Sequence, residues 1–343
     1  MFTRSSSVAA IGLLFLGAGE LATDYKAQRT LLYTSEMSME METTSMSMER
    51  DGQPVDFPGG GGSSTANTRK LEWSDKVLEH KDGVPTKVQR KFGELKQGMS
   101  FVFGDNENAS ERDGALNDVT LELTRGEDGK VEAKAVDGDA DGNALVGHHL
   151  ELSLDAFLPE KKVENGDAWD IDAAAIKRGL VIDLNNVLFP PQEPSGGEGG
   201  GGEGRRGPRG PRGGSGSSLL SNAAWEGKAT LSADTEEYEG ASCRVIKLEF
   251  EADGELEEPS FGGGRGRAFG IGSAALVETT YEVKLEGKLL FDAAKKLPVH
   301  LELEGKAKID SNRSFEREGS KTVMQSTQEG DIKIEASVSV EKE

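Results

Sequence analysis

Apolar and polar residues take turns, one for one, through much of this chain. Residues 31–48 alternate in this way, with Met37, Met39, Met41, Met46 and Met48 separated mostly by Ser, Thr and Glu. A period of two sends successive side chains to opposite faces of an extended backbone, so the stretch reads as a strand with one apolar face. Helical folds are disfavoured wherever that period holds.

The alternation recurs in pairs separated by turn residues. Leu71, Trp73 and Val77 stand before Asp82 and Gly83, and Val88 and Phe92 after them, which reads as a hairpin. Residues 99–103 read as a short strand. Val119, Leu121 and Leu123 face Val131, Ala133 and Ala135 across Glu127, Asp128 and Gly129, a second hairpin. Leu150, Leu152 and Leu154 continue the period. Later strands are expected at 229–231, 245–250, 279–291, 297–309 and 332–340, with a turn at Asp253 and Gly254. The one helical signal lies at 172–184, where Asp172 can cap and Ile176, Leu180 and Leu184 share a face. The predicted fold class is therefore mainly β: large antiparallel meander sheets, as a half-barrel or an open curved sheet, with one short helix.

Organisation follows from composition. Arg4, an apolar stretch at 8–18 and the small residues Gly17 and Gly19 read as a secretory signal over 1–19. That stretch is too short to span a bilayer, which takes about 20 residues, and no later segment is apolar enough, so no transmembrane segment is expected in the mature form. Between Gly196 and Gly216 there are twelve glycines in twenty-one residues. Nothing there can bury a core, so 191–221 is expected to be a disordered linker between β domains at 20–190 and 222–343. The other reading is one continuous sheet, with 191–221 and 258–272 as loops. A formal charge of −21 repels phosphates and anionic lipid surfaces, so nucleic acid is not an expected partner.

Two constellations could hold a metal. Asp137, Asp139, Asp141 and Asn143 have the alternate oxygen spacing of a Ca²⁺ loop, with Gly142 at the sixth position. The twelfth position, where a bidentate Glu belongs, is His148. An acidic hairpin turn explains the pattern equally. The five methionines of 37–48 would present thioethers on one strand face, and such soft ligands suit Cu(I). The plainer reading is a strand that uses Met where another uses Val.

Other motifs carry less. Cys243 is the only cysteine and alternates inward, as a buried thiol would. Gly202, Gly204 and Gly207 match the dinucleotide fingerprint in letters only, since no strand and helix flank them. Arg205, Arg206, Arg209 and Arg212 form a basic cluster without interleaved aromatics, so RNA is disfavoured. Asp167, Asp170 and Asp172 flank Trp169, but carboxylates are too common here to discriminate. No nucleophile with its base emerges, and a non-enzymatic protein is expected.

Leu158, Pro159, Lys161, Val163, Gly166, Asp167 and Trp169 form a segment that resembles one in uncharacterised exported bacterial β-rich proteins, of domain-of-unknown-function type. The run 82–88, and Leu290, Phe291 and Asp292 before Leu297 and Pro298, are also similar to that group. More distantly, the long-stranded meander is similar to the half-barrels that carry lipoproteins across the periplasm. The resemblance implies export, to the periplasm or the medium, and antiparallel architecture, and it brings no active site. The expected function is an exported binding or structural protein that holds an apolar ligand on a curved sheet. Its partner would be an envelope or extracellular one, a lipid or lipoprotein among the options. The alternative is a metal-binding protein, with Cu(I) or Ca²⁺ at the positions above.

Overall fold

A computed structural model describes residues 21–55, 62–104, 106–140, 142–191, 216–257, 276–317 and 319–341. The signal at 1–19, most of the glycine-rich stretch with its four arginines, the second glycine-rich loop and Asp141 lie outside the described residues.

Thirteen strands form one antiparallel, open sheet. They are β1 (Thr30–Arg50), β2 (Gln53–Pro54), β3 (Ser63–Lys81), β4 (Val84–Phe103), β5 (Asn106–Asp113), β6 (Thr120–Arg125) and β7 (Val131–Asp137). Then come β8 (Ala168–Ile171), β9 (Trp225–Tyr238), β10 (Ala241–Glu257), β11 (Leu276–Asp292), β12 (Leu297–Arg317) and β13 (Ser320–Val340). Among the described residues, the helices are short: α1 (Ala173–Gly179), α2 (Asn185–Leu188) and α3 (Gly216–Asn222), with 3-10 turns at Gly142–Leu145 and Ser153–Phe157. The spatial order is β7-β6-β4-β3-β1-β13-β12-β11-β10-β9-β8, with β2 beside β1 and β5 beside β4. The central seam joins the strands from the two ends of the chain, with Leu31 opposite Val340. Strands from both sides of 192–215 share this sheet.

Turn chemistry explains the meander. The β3–β4 hairpin turns at Asp82 and Gly83, both at positive φ, 53° and 81°. Two left-handed residues give the tight turn whose twist matches the strands, and Gly adopts that φ without strain. The expected β6–β7 hairpin forms across Gly129.

Three local expectations fail. Asp253 and Gly254 do not turn, because β10 runs on to Glu257. Gly254 instead leaves room for a ring: a Cβ there would stand 2.9 Å from the Tyr281 hydroxyl. Residues 99–103 are not a separate strand but the far end of β4. Leu150, Leu152 and Leu154 are all buried, yet they lie in an extended crossing and a 3-10 turn rather than in the sheet. Period two reports which residues are buried in an extended segment; it does not say that a neighbour pairs with it.

One face of the sheet, called inner here, carries the apolar residues. Tyr33, Leu71, Leu95, Leu285, Leu303 and Ile334 are each at most 1% exposed. Burying side chains of this size contributes about 1.5–3 kcal/mol each before entropy is counted. A row of glycines lets neighbouring backbones approach closely across this face. A Cβ at Gly305 would stand 1.8 Å from the Lys284 carbonyl oxygen, at Gly330 1.8 Å from that of Glu40, and at Gly287 1.9 Å from that of Glu302. Adjacent backbones close up at these points, and a strand glycine marks such a close approach.

Candidate functional site

The 142–191 segment lies over the inner face and covers only part of it. Phe157 packs against Phe250 of β10 with ring centroids 5.2 Å apart, and His148 lies 6.0 Å from Phe92 of β4. Asp172 caps α1 as the sequence suggests, its carboxylate accepting from the Ala175 amide at 2.7 Å. The other end of α1 is held from the sheet. Buried Arg69 of β3 donates to the carbonyls of Leu180 at 2.7 Å and Val181 at 2.8 Å, satisfying acceptors that a helix end leaves open. Burial brings its guanidinium down to about 10, so it remains charged at neutral pH.

Asp155 fastens the N-terminal segment to this cover. Its carboxylate accepts from Thr23 at 2.5 Å and from the Tyr25 hydroxyl, while Tyr25 accepts from the Leu152 amide at 2.7 Å. Burial pushes the Asp155 carboxyl up to about 6. Folding therefore takes up a proton between about pH 4 and pH 6, and this group's contribution to stability falls as pH rises through that window. His148 acts in the opposite sense, since burial and the neighbouring Arg90 hold it down to about 4, so it loses stability as pH falls. Comparison with Asp155→Asn isolates the first effect. The wild type should gain on the variant as pH drops from 7 to 5 in urea unfolding; a pH-independent gap would show that the carboxyl is not enclosed.

The last described residues of this cover run through Phe189 and Pro190. Arg112 of β5 clasps this stretch, donating to the Phe189 carbonyl at 3.2 Å and the Pro190 carbonyl at 3.0 Å, and to Gln97 of β4 at 2.9 Å. Beyond it the sheet continues, since β1, β4, β12 and β13 all run past this line. This distal inner face is mixed. Met46 and Met99 are 38% and 42% exposed, and Met48, Phe101, Phe103, Ile309 and Met324 are half-buried. Polar residues lie among them; Thr43 and Ser63 share a hydroxyl hydrogen bond of 2.7 Å. Among the described residues the result is a partly exposed strip of thioether and aromatic surface, which can take up apolar groups.

The methionine run divides at a bulge. Met37, Met39 and Met41 are 5%, 1% and 3% exposed, in the core opposite Ile334, Ile332 and Gly330. Spacing alone would turn Met46 and Met48 to the other face, because Met46 lies five positions, an odd number, after Met41. The register shifts between Thr43 and Ser45, and that extra residue returns Met46 and Met48 to the inner face, opposite Ser326 and Met324.

Asp137, Asp139 and Asn143 are exposed, and His148 is buried with its Nε2 2.9 Å from the Ala144 carbonyl. No group of three or more His, Cys, Asp or Glu that could hold a metal occurs among the described residues. Cys243 is buried, and burial pushes its thiol up. Asp167 and Asp172 serve local backbone, and Trp169 donates to the Phe157 carbonyl at 3.2 Å.

Sequence reasoning missed a buried ion pair. Asp75 of β3 and Arg90 of β4 lie opposite each other on the inner face, joined through both carboxylate oxygens at 2.7 Å. Their side chains are 4% and 3% exposed, and Arg90 sits 5.1 Å over the Trp73 ring. The signal was present: Leu71, Trp73, Asp75 and Val77 all occupy inward positions, and one of them is a carboxylate.

The opposite face is charged. Shallow depressions of about 570 and 510 Å³ lie there, lined by residues such as Glu251, Asp253, Glu282, Lys284, Lys306 and Asp331. No helix among the described residues is long and apolar enough to cross a membrane.

No protein-family model matches the chain, and no curated protein matches it. Among solved structures it is similar to the beta domain of the Bordetella autotransporter Brka, at 8% identity over 88% of this chain and 98% of that one, with a TM-score of 0.14. A likeness at that score carries no argument.

Proposed function

We propose that this is an exported, non-catalytic protein that holds an apolar molecule on the distal inner face of its sheet. The observation that carries the reading is the strip of Met99, Phe101, Phe103 and Met46, which stays partly exposed beyond the described 142–191 cover. Partly exposed thioether and aromatic surface costs free energy in water, and an apolar chain laid over it recovers that cost. Methionine suits such a surface because its flexible, polarisable side chain adapts to varied partners. Export is supported by the N-terminal pattern at 1–19. The segment around Leu158 and Trp169, similar to exported β-rich proteins, and the likeness to periplasmic lipoprotein carriers favour a lipid or a lipoprotein's acyl chain.

The test is binding of a fluorescent fatty acid. Wild type should enhance its emission saturably, and Met99→Glu with Phe101→Glu should weaken binding about tenfold or more, since a charge on the strip must be desolvated. Lys284→Glu on the outer face should leave it unchanged. Absence of saturable binding by wild type, or equal binding by the Met99 and Phe101 variant, would overturn the reading.

A second reading, a soft-metal protein, is favoured by one observation: the bulge at Thr43 to Ser45 that keeps Met46 and Met48 on the face of Met324.

A further inference from the structure

We propose that Met46, Met48 and Met324 form a Cu(I) site on the distal inner face. The proposal rests on the soft-metal reading and sharpens it: three of the five methionines in the run drop out, and one from the far end of the chain enters.

Access excludes Met37, Met39 and Met41, which are buried in the core and flanked by β3 and β13. Geometry gathers the other three. Met48 and Met324 are direct partners across the β1–β13 seam, and such partners have Cβ atoms about 4.5–5.5 Å apart. Met46, two residues along β1 and on the same side, is diagonal to Met324, at about 7–8 Å in Cα terms. A thioether reaches sulfur through three rotatable bonds, so three such side chains can converge over the seam. The residue opposite Met46 is Ser326, small enough to leave space above it.

The surroundings argue against simple packing. Thr322, Ser326, Gln328 and Ser311 share this face, so the three methionines are not part of a continuous apolar core. Arg313 of β12 lies opposite Met324 on its other side. None of the paired positions Ser326, Met324 and Arg313 is a carboxylate, the donor that hard divalent cations need. A soft monovalent ion held by neutral sulfur needs none.

The experiment is an anaerobic Cu(I) titration of the purified protein with ascorbate, against the chromophoric chelator bathocuproine disulfonate. Wild type should withdraw about one equivalent, and Met324→Leu, like Met46→Leu with Met48→Leu, should lower affinity about 10- to 100-fold. Met39→Leu, in the core, should bind as wild type does. Thermal unfolding of each variant without metal checks that the fold persists; all of these Leu exchanges conserve volume. Failure of wild type to compete, or Met324→Leu binding as tightly as wild type, overturns the site. The Met99 and Phe101 variant should still bind Cu(I), so loss of fatty-acid binding and loss of copper binding are separable results.

Discussion

Replacing Asp75 by alanine should lower the unfolding free energy by about 3–5 kcal/mol, the usual cost of stranding a buried charge. Arg90 would keep its place over Trp73, with both of its 2.7 Å partners gone. The guanidinium cannot reach water from a side chain 3% exposed, and it cannot shed its charge. Asp75→Leu with Arg90→Met should recover most of the loss, because apolar residues of similar size can replace a buried pair at little net cost. Urea unfolding measures both. A single variant unfolding at the wild-type midpoint would mean that water reaches the pair.

Gly305→Ala should be nearly as damaging, at about 3 kcal/mol, through backbone strain rather than charge. The added methyl group would meet the Lys284 carbonyl oxygen at 1.8 Å and the Leu285 Cα at 2.8 Å. Neither is a flexible side-chain end, so relief requires β11 and β12 to move apart. Gly93 is the control: a Cβ there would lie 3.5 Å from its nearest neighbour, an ordinary contact. Gly93→Ala should change stability by no more than about 1 kcal/mol. Equal effects at the two positions would refute the close approach.

How far the sequence led follows from the same chemistry. The hairpins at Gly83 and Gly129 were legible because turn residues and flanking alternation agree. So was the start of the helix after Asp172, from its cap, but α1 ends at Gly179, with Leu180 as its C-cap and Leu184 beyond it, short of the 172–184 that the fourfold spacing suggests. Strand lengths were not legible. The alternation at 297–309 and 332–340 marks only the covered half of β12 and β13. Their distal halves carry residues such as Ser311, Arg313, Ser326 and Gln328 on the inner face, so both faces are polar and the periodic signal vanishes while the pairing continues. The bulge in β1 was hidden for a related reason: Thr44 has no composition cue, and only the pairing with β13 reveals the extra residue. The distal strip was therefore out of reach, since it depends on which part of the sheet the 142–191 segment overlies.

The seam between β1 and β13 also governs when this protein can fold. The middle of the sheet is closed by segments from opposite ends of the chain, and the Glu341 amide bonds back to the Thr30 carbonyl at 3.0 Å. Contacts so distant in sequence give a high contact order and slow assembly, in the range of milliseconds to seconds or longer. A ribosome still holding β13 withholds the partner of both β1 and β12. The core can then be completed only after β13 has emerged.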